Sequence, residues 1–172
     1  MTESLPDYDS GMRSFPFLAI LLAGWLLASC GTLPPESASS GRPDVAEQRG
    51  QDVALYAIGL VETGYRFGGK NPEAGLDCSG MVSFVYGKAA GLQLTGSASD
   101  IARRGRHVAQ HHMKPGDLVF FNTANRPHSH VGIFIGDGRF VHAPSSGGRV
   151  RTDSLVRGWF ADRFEEARTY FN

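Results

Sequence analysis

Residues 130–144, "HVGIFIGDGRFVHAP", decide the fold because they read as two β-strands joined by a tight turn. Apolar residues fill both segments, and the "GDG" at 136–138 supplies the glycines that tight hairpin turns require. We predict a three-residue turn in which Ile135 pairs with Arg139. The two segments would then form an antiparallel hairpin.

This hairpin register brings two histidines together. It places His130 and His142 on one face of the sheet as diagonal neighbours, within reach of each other's side chains. Gly132 lies between them in the pattern and leaves room for their rings. A two-residue turn would instead put the histidines on opposite faces, and a shared face by coincidence remains the alternative.

The order of the other elements predicts an α+β fold class. Helical spacing of apolar residues comes first along the chain, and strand-like segments follow it, so we expect N-terminal helices packed on a central antiparallel sheet. The predicted helices are 52–62, a helix that begins after Asp77, and 97–104. The predicted strands are 117–122, 130–136, 139–144 and 163–171, with a short additional strand in 147–152.

Composition limits the classes of function. The chain has 172 residues, which suits one domain with its own core. Lys plus Arg and Asp plus Glu both number 17, so the charge balance gives no indication of a nucleic-acid partner. Residues 31–50 are rich in proline and serine and carry no aromatic side chain, which is typical of a flexible linker. We therefore place the folded domain at 51–172.

The N-terminal segment resembles a bacterial lipoprotein signal. Residues 15–28 form an apolar run that is too short to span a membrane but suits a signal peptide covering 1–29. The run ends in "LASC", similar to a lipobox, which would make Cys30 the lipidated first residue of the mature protein. Acidic residues occupy the first positions, where a signal is normally basic, so we expect the true start at Met12.

Lipidation of Cys30 has two consequences. Only two cysteines are present, so Cys78 would have no disulfide partner. The protein would lie on the periplasmic face of a membrane, and Gly31 favours the outer membrane by the usual bacterial sorting rule.

Cys78 stands at the start of its predicted helix, with Asp77 as the N-cap. The positive end of the helix dipole would favour a thiolate, and N–H groups there suit an oxyanion. A lone cysteine is often a small buried apolar residue instead. A nucleophilic thiol needs an imidazole oriented by a further polar group, and His130 with His142 would supply both.

Five stretches together resemble the NlpC-type cell-wall endopeptidases, which are papain-like cysteine peptidases. They are "GYRFGG", "LDCSG", "MKPGDLVFF", "SHVGIFIGDGRFVHA" and "SSGGRVR", in that order. The resemblance implies hydrolysis of the bond between D-glutamate and a diamino acid in peptidoglycan stem peptides. It implies these roles: Cys78 as nucleophile, His130 as general base, His142 as the group that orients it, and Tyr65 near the oxyanion. The backbone N–H of Cys78 or Ser79 would complete the oxyanion site.

We expect a monomer that needs no cofactor or metal, with peptidoglycan and the membrane as its partners. Segment 92–105 departs from the family pattern, which affects one wall of the cleft. Three alternatives remain: a zinc site formed by Cys78, His130 and His142, a non-catalytic wall-binding lipoprotein, and a thiol acyltransferase.

Overall fold

A six-stranded antiparallel sheet organises the chain in the computed structural model, which describes residues 44–146 and 148–172. The helices are α1 (Val45–Ile58), α2 (Cys78–Ala89) and α3 (Ala98–Arg104), and short 3-10 turns cover Gln110–His112 and Ala161–Arg163. The strands are β1 (Lys70–Asn71), β2 (Gly75–Leu76), β3 (Arg106–Val108), β4 (Leu118–Phe121), β5 (His130–Gly136), β6 (Arg139–His142), β7 (Arg151–Ser154) and β8 (Phe164–Thr169).

The strand order in the sheet is β3-β8-β4-β5-β6-β7, and β1 pairs separately with β2. Helices precede most of the sheet along the chain, so the α+β prediction is confirmed. The sequence did not predict β1, β2 or β3, because strands of two or three residues are too short for an alternating pattern. In the part of the chain that the structure describes, no helix is long and apolar enough to cross a membrane.

The predicted signal peptide, Cys30 and most of the predicted linker lie outside the described residues. The end of that linker is described, and it is helical: α1 begins at Val45, six residues before the domain boundary that composition suggested. Gly50 explains the difference, since it is buried and a Cβ there would lie 2.4 Å from the carbonyl oxygen of Pro115. Gly50 was interpreted as part of a flexible linker, but it lets α1 pack closely against the backbone at Pro115.

Alternation along β4 shows how the sheet separates two apolar clusters. Leu118 and Phe120 face the helices, where Val53 of α1 and Val82 of α2 are also fully buried. Val119 and Phe121 face the other side, in a cluster completed by the side chains of Phe134, Phe140, Leu155, Phe160 and Ala167. Burying both faces fixes the register of the strands, because a slip of one residue would exchange the two clusters.

The turn between β5 and β6 differs from the prediction. Its loop has two residues, Asp137 and Gly138, with φ angles of 49° and 63°, and Gly136 rather than Ile135 lies opposite Arg139. A β-bulge between Phe134 and Gly136 adds one residue on the β5 side. The predicted register therefore returns beyond the bulge.

In that register Ile133 pairs with Val141. His130 and His142 consequently share a face, as predicted, although for a different reason. Gly132 is required there, because a Cβ would lie 2.6 Å from the Phe140 ring and 3.0 Å from the carbonyl oxygen of Val141.

The Gly50 contact gives a test of the early helix start. We expect Gly50→Ala to lower the free energy of unfolding by about 1–3 kcal/mol, because a rigid backbone oxygen must move. Gly64→Ala is the matched control: no atom lies within 4 Å of its Cβ position, and its stability should stay within about 0.5 kcal/mol of the parent. Urea unfolding measures both. Equal stability of the two variants would show that α1 does not pack as described.

Candidate active site

Asp77 fixes the start of α2 and with it the position of Cys78. Its Oδ1 accepts hydrogen bonds from the backbone N–H of Gly80 at 2.6 Å and from the hydroxyl of Ser79 at 3.0 Å. Its Oδ2 accepts from the N–H of Gly68 in the glycine-rich loop, at 2.9 Å. Asp77 is therefore an N-cap, as predicted, and it also ties the loop to the helix.

The Cys78 thiol is protonated at neutral pH, contrary to the thiolate expected from its helix position. Burial and the negative charge of Asp77 raise its pKa to about 11. Backbone N–H groups of Val131, Ser79 and Cys78 itself lower the pKa, but they do not offset the burial. A nucleophile in this state needs a base to take its proton.

His130 and His142 are in direct contact. The Nε2 atom of His130 lies 2.8 Å from the Nδ1 atom of His142, and both side chains are buried, His142 completely. Aromatic rings of Phe121, Phe140 and Phe160 pack around the pair. The predicted pairing of these two histidines is confirmed.

Both histidines are neutral near pH 7. Burial is the main cause that lowers the pKa of His130, with further lowering by His142 and Arg151. Burial also lowers the pKa of His142, and the hydrogen bond that His142 donates to Asp153 opposes that effect only in part. A neutral imidazole can accept a proton, which suits a general base.

Two polar residues next to this pair were missed by the sequence analysis. Asp153 Oδ2 lies 2.8 Å from His142 Nε2, and the Nε atom of Arg151 lies 2.9 Å from the same oxygen. Both residues are in β7, where Arg151 is opposite His142 on β6. The sequence between β6 and β7 does not show how the two strands pair, so the contact of Asp153 with His142 was not predicted. The alternation of two charged residues in "RTD" could have indicated that Arg151 and Asp153 share one face of a strand.

Cys78 and His130 line one cleft of about 820 Å³. Tyr65 and Ser79 line it as well. Within residues 44–146 and 148–172, no hydrogen bond joins the Cys78 thiol to His130, and catalytic pairs often tighten only when substrate binds. Burial, Cys78 and Asp77 each raise the pKa of the Tyr65 hydroxyl, which therefore stays protonated and able to donate.

Two exposed aromatic side chains also line the cleft. The side chains of Phe67 and Trp159 are 89% and 51% exposed, although both are large and apolar. Arg126 and His128 lie along the cleft as well. The Nε2 atom of His128 lies 2.9 Å from Oε1 of Glu166.

The zinc alternative lacks a ligand set in the described part of the chain. No group of three or more His, Cys, Asp or Glu side chains there is arranged to hold a metal ion. His130 and His142 instead direct ring nitrogens at each other.

Comparison with known proteins gives one consistent family. The model of the NlpC/P60 family matches residues 62–169. Murein DD-endopeptidase MepS/Murein LD-carboxypeptidase of Escherichia coli (strain K12) is 30% identical over 188 residues, covering 98% of this chain and 97% of the relative. Gamma-DL-glutamyl hydrolase of Bacillus subtilis (strain 168) is 46% identical over 121 residues, but that match covers 70% of this chain and 29% of the relative.

Other relatives are also longer than the matched region. The probable endopeptidase YafL of Escherichia coli (strain K12) is 36% identical over 107 residues, and this match covers 60% of this chain and 43% of the relative. Among solved structures, the NlpC/p60 domain of peptidoglycan hydrolase SagA superposes with a TM-score of 0.61 and 32% identity, covering 70% of this chain and 97% of that domain. An NLP/P60 protein of Staphylococcus aureus described as similar to lipoprotein gives a TM-score of 0.63 at 29% identity, over 73% of this chain and 42% of that protein.

The neutral histidine pair predicts how stability depends on pH. An unfolded histidine binds a proton below its ordinary pKa of 6.5, whereas the buried pair does not. Stability is therefore fully present above pH 6.5 and is lost as the pH falls below it, by up to about 1.4 kcal/mol per pH unit for each histidine.

Urea unfolding between about pH 7.5 and pH 5 measures this slope. We expect a shallower slope for His130→Gln than for the parent, while the exposed His111→Gln control keeps the parent slope. Identical slopes for all three proteins would contradict a buried, neutral pair.

Proposed function

Because this chain belongs to the NlpC/P60 family, we propose that it is a cysteine peptidase that hydrolyses amide bonds in the stem peptides of bacterial peptidoglycan. One observation carries the proposal: a cleft is lined by a cysteine at a helix start and by a histidine that is bonded to a second, buried histidine. The names of the relatives support the substrate class, since they include murein endopeptidases and a peptidoglycan hydrolase.

The reaction begins from an uncharged pair. Cys78 Sγ attacks the amide carbonyl carbon while the thiol proton passes to Nδ1 of His130, the ring nitrogen that is not bonded to His142. The resulting oxyanion accepts hydrogen bonds from the backbone N–H of Cys78 or Ser79 and from the Tyr65 hydroxyl. His130 then gives its proton to the departing amine as the C–N bond breaks, which leaves an acyl-enzyme.

Water completes the cycle. His130 removes a proton from a water molecule as its oxygen attacks the thioester carbonyl. Collapse of the second tetrahedral intermediate breaks the C–S bond and returns the proton to Cys78. Thiol acyl transfer would follow the same route with another nucleophile in place of water.

The bond that we propose is the one between the γ-carboxyl of D-glutamate and the diamino acid. The 46% identity with a gamma-DL-glutamyl hydrolase supports this choice. The similarity to a murein DD-endopeptidase over nearly the whole chain favours a second candidate, the cross-link between two stems. Cleavage products distinguish the two bonds.

The same proposal places the enzyme on the periplasmic face of a membrane, with lipid on Cys30. The lipobox-like "LASC" that precedes the domain supports this, as does Gly31 for the outer membrane. The anchor would hold the peptidase near the cell wall.

Replacing the nucleophile tests the proposal directly. We expect Cys78→Ala to abolish the release of soluble peptides from purified sacculi, because no other group in the proposed mechanism forms the acyl-enzyme. Chromatography of the released material measures the effect. Full activity of Cys78→Ala would disprove the mechanism, and an inactive parent protein would favour a wall-binding role.

The other cysteine provides the matched control. Cys30→Ala should cleave soluble muropeptides as fast as the parent but should lose the incorporation of labelled palmitate that the parent shows in cells. Equal palmitate labelling of that variant and the parent would contradict lipid anchoring at Cys30 while leaving the peptidase proposal intact.

A further inference from the structure

We propose that Asp153, held in place by Arg151, is a positioning residue that sets the tautomers of both active-site histidines. The effect of Asp153 on catalysis rests on the proposed function, whereas the hydrogen bonds that connect it to the histidines do not depend on that proposal. The chain runs from Asp153 through His142 to His130, with 2.8 Å between each pair of bonded atoms.

The direction of each hydrogen bond follows from the carboxylate. An ionised carboxylate only accepts, so the Nε2 atom of His142 must carry a proton and donate it to Asp153. A neutral imidazole carries one proton, and Nδ1 of His142 is therefore an acceptor. The bond between the two rings then requires that His130 Nε2 donates.

The same reasoning fixes the reactive atom of the base. Neutral His130 has its single proton on Nε2, which leaves a lone pair on Nδ1. That lone pair is what must receive the thiol proton of Cys78. A carboxylate that lies two hydrogen bonds away thus selects the only tautomer in which His130 acts as a base.

Arg151 holds the carboxylate in this position. Its Nε donates to the same Oδ2 that accepts from His142, and its Nη1 donates to the carbonyl oxygen of Ser146 at 3.2 Å. The guanidinium is thus fixed at two points. It restricts rotation of Asp153 and offsets its negative charge.

In the described part of the chain, Asp153 is the only side chain beyond the pair that hydrogen-bonds either imidazole. The charged groups that influence the histidine pair are Asp153 and Arg151. Rings of Phe121, Phe140 and Phe160 also pack against the two imidazoles. Asp153 does not line the cleft that contains Cys78, so it would act through His142 rather than on the substrate.

Asp153→Asn tests this role with little change in shape. The amide can either accept from or donate to His142 Nε2, so the variant no longer enforces one tautomer. In the reversed arrangement His130 carries its proton on Nδ1 and cannot accept one from Cys78. We expect kcat for stem-peptide cleavage to fall by about 10–100-fold while KM changes less than about threefold, a smaller loss than for a triad aspartate bonded directly to the base.

Nitrogen NMR of histidine-labelled protein reads the tautomers without any substrate. We expect the parent to show both rings protonated on Nε2, and Asp153→Asn to show a substantial share of Nδ1–H forms. Asp137→Asn is the control, since it removes a carboxylate of the exposed hairpin turn whose side chain is 89% exposed. That control should keep the parent spectrum and the parent kcat.

The outcomes separate the two proposals. Unchanged tautomers in a folded Asp153→Asn variant, or changed tautomers with unchanged kcat, would overturn the positioning role. A parent with the expected tautomers but no activity on peptidoglycan would overturn the proposed function, while the hydrogen-bond part of this inference would stand.

Discussion

The hydrogen bond between His130 and His142 is the interaction on which the rest of the site depends. It exists only because β5 and β6 meet in one register, in which a two-residue turn and a β-bulge compensate each other. Gly132 is needed in this register, because a Cβ there would lie 2.6 Å from the Phe140 ring and 3.3 Å from the Cβ of His142. The strands thus position two imidazoles by backbone geometry, and aromatic packing buries His142 completely and His130 except where it lines the cleft.

Burial determines the chemistry of this pair and of the thiol alike. Desolvation disfavours every charged form, so it lowers the pKa of the histidines and raises that of Cys78. The thiol and the two imidazoles are therefore uncharged at rest, and the thiol proton must leave Cys78 as the substrate is attacked. The free N–H groups at the start of α2 would therefore stabilise the oxyanion that forms during attack, rather than a thiolate in the resting enzyme.

Much of this site was predictable from local sequence. The "LDCSG" stretch placed Cys78 behind its N-cap, and the hairpin put both histidines on one face, because capping and strand alternation are local properties. Long-range packing was not predictable: the burial that keeps Cys78 protonated comes from the whole domain, and the close approach of Gly50 to Pro115 joins distant segments. Asp153 was missed for the same reason, since its contact with His142 depends on the register of β6 with β7.

The central claim is that Cys78, with this histidine pair, hydrolyses an amide of the peptidoglycan stem. Mass spectrometry of purified muropeptides after incubation with the protein tests it most directly. The account predicts a new carboxyl terminus at D-glutamate and a released peptide with a free amine on its diamino acid. Muropeptides that remain intact at stoichiometric protein would contradict the account, and opened cross-links with intact stems would assign the activity to the other bond.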